Sequence, residues 1–351
     1  MINEFPVFDG HNDTILDLYV GKKKRSFFKK SKRGHIDLPR AQEGGLGGGF
    51  FALFVPSPKP MEEMPGEQLD GGGYKYPKPK PLSLEYALHT TISMMAVMLK
   101  VEKEAQGQAK IVKTVAELEE CLANGTLAMI LHFEGADTID TDLHALHTFY
   151  AAGLRSLGLV WSRDNAFGTG VPFNFPDSPD IGPGLTEAGK RLVQACNELR
   201  IMVDLSHLNE KGFWDVAALS NAPLVATHSN AHALAASPRN LTDEQLKAVA
   251  QSNGLVGINY HKGFLREDGR SDKKTSLKQI VRHVNYIADL VGVDHVALGS
   301  DFDGAKMPEN LRDVAGLPKL LKALRKSGHD DESLKKITHQ NWVRVLGETW
   351  K

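Results

Sequence analysis

Six side chains of the kind that bind metal ions or transfer protons follow short apolar stretches of this sequence. They are His11 and Asp13 in FDGHND, Glu134 in LHFEGAD, His207 in DLSHLN, His228 in ATHSNA and Asp301 in GSDFDG. Imidazole and carboxylate ligands without thiolate suit Zn²⁺, and they also suit Mn²⁺, Co²⁺ or Fe²⁺. Because the six span almost the whole sequence, only a fold that gathers several strand ends can bring them together.

The first five divide into two sets of three ligands if one carboxylate is shared. His11, Asp13 and one oxygen of Glu134 would complete one site. His207, His228 and the other oxygen of Glu134 would complete a second. A catalytic zinc takes about three protein ligands and keeps one position for water. Two such ions lie roughly 3.5–4 Å apart and activate a bridging hydroxide, so the pattern predicts a binuclear hydrolase centre.

The alternative for each histidine is a structural role, and the chain contains 14 histidines. A single histidine at a strand end is more often hydrogen-bonded within the fold than bound to metal. Five complementary groups at the ends of four strands are much harder to reach by chance. His132 alternates with Glu134 along one strand, and a supporting or core role is favoured for it over lining the site.

The predicted elements explain how the six could meet. Eight short apolar runs are predicted as strands: FPVFDG, GGFFALFV, LAMILHF, LRSLGLVW, IMVDLSH, PLVATH, GLVGINY and HVALGSD. Continuous apolar strands are typical of a buried parallel sheet. Helical patterns separate most of them, the clearest at 83–105, 114–125, 185–200, 241–254 and 276–292. The sequence therefore predicts one α/β domain over 1–351, a (β/α)₈ TIM barrel whose catalytic groups sit at the carboxyl ends of the strands.

Two segments stand apart from this alternation. Residues 56–82 are rich in Pro, Gly and Lys, which predicts a long, partly extended loop, with a place near the barrel mouth favoured over a neutral insertion. Residues 22–34 are basic; a solvated loop is favoured over a patch for an anionic partner.

Composition limits the classes of function. The chain has 351 residues, 41% hydrophobic and 24% charged, with a formal net charge of −1. Nothing global attracts nucleic acid or a membrane. Cys121 and Cys196 lie in helical patterns, where reduced thiols are expected. The absence of a signal-like start and of a span of ~20 apolar residues favours a cytoplasmic location.

Taken in order, the motifs DGHND, HFEGAD, DLSH, ATHSNA…PRNLTDEQL and HVALGSDFDG resemble those of the membrane (renal-type) dipeptidases, peptidase family M19. The resemblance runs from residue 7 to about residue 345. It implies an amidohydrolase-type barrel with two zinc ions bridged by Glu134. It also implies that Asp301 transfers the proton and that Arg239 binds the substrate carboxylate. The planar fork of arginine can pair with both carboxylate oxygens. From the sequence itself, Asp303 is expected to point the same way as Asp301 along an extended segment and to act as a supporting group.

One position departs from the family. Renal-type members carry a histidine after strand four that helps polarise the scissile carbonyl, and Trp161 stands there in this chain. Either another donor replaces it, with Arg163 and Asn165 as candidates, or the substrate differs and Trp161 packs against an apolar side chain. In GINYHKGF, either Tyr260 or His261 takes the place of a family tyrosine near the substrate.

The sequence thus favours a zinc-dependent metallo-dipeptidase that hydrolyses dipeptides, L–D pairs included. The nearest alternative is a related barrel hydrolase that cleaves another amide, a lactam or an ester. A deaminase or phosphotriesterase-like barrel is disfavoured by the bridging position of Glu134 and by the Arg239 segment. A non-catalytic metal-binding barrel is disfavoured by the complete ligand set with Asp301. A homodimer stays open.

Overall fold

The computed structural model describes residues 5–21, 25–58, 66–69 and 72–351. Its strands are β1 (Val7–Asn12), β2 (Leu46–Phe54), β3 (Glu67–Gln68), β4 (Tyr74–Lys75), β5 (Ala109–Ile111), β6 (Leu127–Glu134), β7 (Ser156–Gly158), β8 (Met202–Asp204), β9 (Val225–Ala226), β10 (Leu255–Ile258) and β11 (Val296–Leu298). Its α-helices are α1 (Thr14–Val20), α2 (Leu38–Gly44), α3 (Leu84–Glu104), α4 (Val115–Asn124), α5 (His144–Ala152), α6 (Glu187–Leu199), α7 (Glu210–Leu219), α8 (Asp243–Gln251), α9 (Lys262–Leu265), α10 (Leu277–Val291), α11 (Leu317–Lys326), α12 (Asp331–Lys335) and α13 (Asn341–Thr349).

Eight of the strands form a parallel, nearly closed barrel in the order β1-β2-β6-β7-β8-β9-β10-β11. Strand β5 adds to the outside of β6. The two ends of the sheet meet above the strands, where the Asp301 backbone N–H donates to His11 O at 2.9 Å and the Asp13 N–H donates to Phe302 O at 2.8 Å. The predicted (β/α)₈ barrel and its eight strands are therefore confirmed.

The barrel interior changes from apolar at the bottom to polar at the top. Strand β6 shows this in one line: Ala128 and Ile130 belong to an inner apolar cluster with Trp342, while His132 and Glu134 follow at the next alternate positions. Trp342 of α13 packs against Phe8, with ring centroids 5.7 Å apart, and donates from Nε1 to Leu298 O at 3.2 Å. This lower layer closes the barrel beneath the polar groups.

The outer helices confirm the smaller predictions. Cys121 and Cys196 are buried free thiols. Helix α8 begins with a capping box: the Gln245 N–H donates to Thr242 Oγ1 at 3.3 Å, and the Thr242 N–H donates to Gln245 Oε1 at 2.8 Å. Each contact gives a hydrogen-bond partner to a backbone N–H that has none within the first turn of a helix. Among the described residues, no helix is long and apolar enough to cross a bilayer.

The described part of the loop after β2 lies at the barrel mouth, as favoured from its sequence. Strands β3 and β4 pair antiparallel within it. Tyr74 exchanges two backbone hydrogen bonds with Phe175, at 2.7 and 2.8 Å, and its hydroxyl donates to Gly269 O at 3.1 Å. Residues 59–65 and 70–71 of this loop, and 22–24 of the basic run, lie outside the described residues. Arg25 of that run is tied down, with Nη1 donating to Ile36 O at 2.6 Å.

Replacement of Trp342 by alanine tests the lower layer. Trp342 is fully buried, so the cavity left by Trp342→Ala should lower the free energy of unfolding by about 3–5 kcal/mol in urea denaturation. Trp214 is 39% exposed, and Trp214→Ala should change it by less than about 1 kcal/mol. Equal effects of the two substitutions would contradict the closing role of Trp342.

Candidate metal centre

Five side chains meet at the carboxyl ends of four barrel strands. His11 lies at the end of β1 with Asp13 just beyond it, Glu134 ends β6, and His207 and His228 follow β8 and β9. All five are at most 5% exposed. His207 has φ +68°, in the left-handed region, which marks the sharp turn that directs its ring toward the barrel axis. The barrel thus brings together all five residues predicted as ligands.

Glu134 is the central group of the cluster. Its Oε2 lies 3.7 Å from His11 Nε2, and Asp13 Oδ2 lies 3.6 Å from the same nitrogen. Its Oε1 lies 2.9 Å from His207 Nε2 and 3.5 Å from His228 Nε2. The two carboxylate oxygens therefore face two different groups of side chains.

Hydrogen bonds on the far side of two rings fix their orientation. Thr227 Oγ1 lies 2.6 Å from Asp204 Oδ2 and 2.8 Å from His228 Nδ1. Since the threonine hydroxyl donates its proton to Asp204, the His228 Nδ1–H donates to the threonine oxygen. His207 Nδ1 lies 2.8 Å from Ser162 Oγ. Such partners direct the Nε2 lone pairs inward, as in metal-binding histidines.

The donor set fits divalent metal ions. His207 Nε2 and His228 Nε2 lie 3.1 Å apart. Burial lowers the pKa of both rings well below the usual range, so both rings are neutral, as metal ligands must be. Both ring nitrogens of His11 and Asp13 Oδ1 are buried without hydrogen-bond partners. Burial disfavours a charge on His11, but the carboxylates of Glu134 and Asp13 outweigh it and raise its pKa to about 10. A cation in the cluster would satisfy these lone pairs and balance the carboxylates.

Asp301 lies beside this cluster. Its carboxylate can share one cation with His11 and Asp13, and its Oδ2 accepts a hydrogen bond from Asn259 Nδ2 at 2.9 Å. Burial raises the pKa of Asp301 to about 7, which suits a group that must accept and release a proton near neutral pH.

Asp303 does not point the same way as Asp301. Both residues have positive φ, +62° and +67°, so the expectation of an extended segment is wrong. Asp303 Oδ2 instead accepts from Thr14 Oγ1 at 2.8 Å and from Arg25 Nη2 at 3.5 Å. Asp303 therefore holds the loop of Arg25 against the barrel mouth, a supporting contact.

Arg239 is a buried cation near the cluster. Its Nη2 donates to His228 O at 3.0 Å, and its guanidinium lies 5.5 Å from the centroid of the Phe264 ring. It forms no ion pair within the described part of the chain, and its Nε has no hydrogen-bond partner there. Burial lowers its pKa only to about 10, so Arg239 stays positive at neutral pH. An unpaired buried charge is costly unless a ligand pairs with it.

A cavity of about 740 Å³ opens above the cluster, with Asp13, Glu134, His207 and Asp301 at its floor. Trp161, Phe173, Phe264 and His261 form part of its wall, and Tyr74 and Tyr76 of the loop after β2 stand at its mouth. Tyr260 is fully buried against Phe302 and is not part of the lining. His261, and not Tyr260, therefore faces the cavity.

The two candidate donors after β7 are directed elsewhere. Arg163 donates to Asp137 Oδ1 at 3.2 Å and to Val55 O at 3.1 Å. Asn165 donates to Leu159 O at 2.9 Å. Neither lines the cavity, whereas Trp161 does.

Several functional neighbours were missed at the level of sequence. Ser162, Thr227 and Asn259 support His207, His228 and Asp301, and they are ordinary polar residues whose only signal is adjacency to a strand end. Gly304 had a clearer signal, since it closes the GSDFDG motif. A Cβ at Gly304 would collide with the carboxylates of Asp13 and Asp301.

Comparison with known proteins identifies the chain. The family model described as membrane dipeptidase (peptidase family M19) matches residues 1–351. The chain belongs to peptidase family M19. A metallopeptidase from Rhodobacter sphaeroides, crystallised with a phosphinate mimic of the dipeptide L-Ala-D-Ala, shares 49% identity over 99% of both chains, with a TM-score of 0.93. A solved M19 metallopeptidase, a dipeptidase, shares 50% identity over 99% of both chains, with a TM-score of 0.94.

A curated relative from Klebsiella pneumoniae, described as an uncharacterised protein in the pqqA 5′ region, is 49% identical over 257 residues, 73% of this chain and 95% of the relative. Membership of family M19 makes this chain a hydrolase of the dipeptidase class with a small peptide substrate. The recognition made from the motifs is confirmed, and the clustered histidines and carboxylates are groups that could hold a metal ion.

Gly304→Ala tests the packing around the centre. The new methyl group should displace Asp13 and Asp301, so metal affinity should fall about 10–100-fold, as for other disturbed ligand supports. Metal content after dialysis against buffered zinc measures this. Gly347→Ala is the matched control, because a Cβ there meets nothing within 4 Å. Unchanged metal affinity in Gly304→Ala would show that the carboxylates tolerate the methyl group.

Proposed function

We propose that this chain is a zinc-dependent dipeptidase with two metal ions. His11, Asp13 and Glu134 Oε2 would hold one ion, and His207, His228 and Glu134 Oε1 would hold the other. The observation that carries this proposal is the division of the Glu134 oxygens, at 3.7 Å from His11 and at 2.9 Å from His207. Mn²⁺, Co²⁺ or Fe²⁺ would suit the same ligands. The ions, when bound, would lower the pKa of a bridging water and so supply hydroxide at neutral pH.

Arg239 would orient the substrate. A dipeptide ends in a carboxylate, and Arg239 offers a buried positive charge whose Nε–H has no partner in the described chain. Because that charge is desolvated, pairing with the carboxylate would be strong and would exclude ligands without a terminal acid. The scissile bond, one residue away, would then lie over the floor of the cavity near Glu134.

Asp301 would move the proton. It lies beside His11 and Asp13, and Asn259 fixes one of its oxygens at 2.9 Å. Asp301 would accept the proton of the attacking water and pass it to the departing amine. The role requires a carboxylate that changes protonation near neutral pH, and burial gives Asp301 such a pKa, about 7.

Substrates with a D residue are part of the proposal. The Rhodobacter sphaeroides protein, 49% identical to this chain, was crystallised with a mimic of L-Ala-D-Ala. His261 and Trp161 would contact the substrate, because both line the cavity above the centre. A different amide, a lactam or an ester remains the second candidate, favoured by the aromatic wall at Trp161, and the same assays distinguish it.

Metal loading gives the first test of this proposal. The wild type should hold about two zinc ions per chain and lose dipeptide hydrolysis after chelation, with recovery on zinc addition. His207→Ala should reduce the metal content to about one ion, because it removes a ligand of one site only. His144→Ala should change neither quantity, since that side chain is 87% exposed. One ion per chain at full activity would contradict the binuclear proposal.

Asp301→Asn separates proton transfer from metal binding. The amide keeps the shape but cannot accept the proton, so kcat should fall about 10²–10⁴-fold while metal content is retained. Asp289→Asn, the same change on the exposed surface of α10, serves as the control. Assays should use L–L and L–D dipeptides together with a lactam and an ester. Turnover by Asp301→Asn at the wild-type rate would rule out the assigned role.

A further inference from the structure

Trp161 differs from the other tryptophans in what its indole nitrogen does. The chain has 4 tryptophans. Three of them donate to the protein: Trp214 to Glu210 Oε1 at 3.4 Å, Trp342 to Leu298 O at 3.2 Å and Trp350 to Arg155 O at 3.2 Å. Trp161 Nε1 has no acceptor in the described part of the chain, and it is not sealed from solvent. Its side chain lines the cavity, so the free N–H is open to a bound ligand.

We propose that the indole N–H of Trp161 donates a hydrogen bond to the carbonyl oxygen of the scissile peptide bond as that oxygen becomes negative. The inference rests on the proposed dipeptidase reaction. Its geometric basis is the place of the ring, whose centroid lies 5.8 Å from that of His207, one of the proposed ligands. A donor at this position stands beside the reacting bond rather than at the outer mouth of the cavity.

The ring is held rigidly, as a donor to a developing charge must be. Phe54 packs against it at a centroid distance of 4.7 Å and Phe173 at 5.4 Å. The Arg163 guanidinium lies 5.5 Å from its centroid. Arg163 is itself fixed by Asp137 and by the backbone at Val55, so it acts as a positioning residue for the indole.

The same segment contains no competing donor. Arg163 donates to Asp137 and Asn165 donates to Leu159 O. Neither residue lines the cavity. Ser162 Oγ lies 2.8 Å from His207 Nδ1, and Ser162 does not line the cavity. Within the described segment after β7, Trp161 therefore presents the one side-chain donor that lines the cavity.

The proposed reaction consumes only water and the dipeptide. The water oxygen adds to the carbonyl carbon, its proton passes to Asp301, and the carbonyl π pair moves onto the carbonyl oxygen. Trp161 donates a hydrogen bond to that oxygen and loses no proton. The pair then reforms the C=O bond, the C–N bond breaks, and the amine takes the proton from Asp301. Because indole does not ionise in the working range, the donor is present at every pH.

Trp161→Phe removes the N–H and keeps an aromatic ring. The expected result is a fall in kcat of about 100-fold, the usual effect of losing one oxyanion donor, with KM within about 3-fold of wild type. A phosphinate dipeptide, whose charged oxygens mimic the tetrahedral species, should bind about 10–100-fold more weakly by calorimetry. Trp214→Phe is the matched control and should change neither value, because Trp214 lies at the surface.

The kcat, the KM and the phosphinate affinity of Trp161→Phe decide between a hydrogen-bond donor and an apolar contact. A lower kcat together with weaker phosphinate binding supports the inference. An unchanged kcat, or a raised KM with unchanged kcat, overturns it and leaves Trp161 as an apolar contact. If Trp161→Phe loses its metal ions, benzothienylalanine at position 161 makes the same comparison, since it keeps the shape of indole and replaces only N–H by sulfur. Failure of the wild type to cleave dipeptides would instead refute the proposed function.

Discussion

A buried carboxylate shared between histidines is the interaction on which the rest of the site depends. Glu134 lies at the top of the barrel with one oxygen facing His11 and the other facing His207 and His228. Desolvation raises the pKa of this carboxyl well above its usual range, so the surrounding residues alone do not stabilise its negative charge well. Divalent cations would stabilise it, because they favour the ionised carboxylates and the inward lone pairs at once.

The layers of the barrel make such a costly cluster possible. Below it, Phe8, Phe50 and Trp342 form a buried apolar layer. Between the layers, His132 lies 2.9 Å from Ser156 Oγ, and Asp204 accepts from Thr227 Oγ1 at 2.6 Å. Polar groups in this middle layer therefore form hydrogen bonds with one another, and Thr227 also contacts His228 of the cluster above. The apolar core stabilises the fold, while the top layer of histidines and carboxylates faces the cavity.

The cavity wall is built from loops that the barrel strands only anchor. Trp161 follows β7, His261 and Phe264 follow β10, and Tyr74 belongs to the loop after β2. These loops are tied to one another, as in the Tyr74 hydroxyl bond to Gly269 O at 3.1 Å. Changes in one loop can thus alter the shape of the cavity while the histidines and carboxylates beneath stay in place.

The sequence by itself determined the eight strands and the five ligand candidates, because apolar runs ending in His, Asp or Glu are local patterns that burial and metal chemistry both require. It could not decide which side chains face the cavity. Tyr260 and His261 are neighbours, and only the packing of β10 turns His261 toward the cavity and Tyr260 into the core. Asp301 and Asp303 stand two residues apart in one motif, but only the folded chain shows that Asp301 lies beside His11 and Asp13 while Asp303 accepts a hydrogen bond from Thr14. The free N–H of Trp161 likewise follows from contacts between distant segments, which no local pattern encodes.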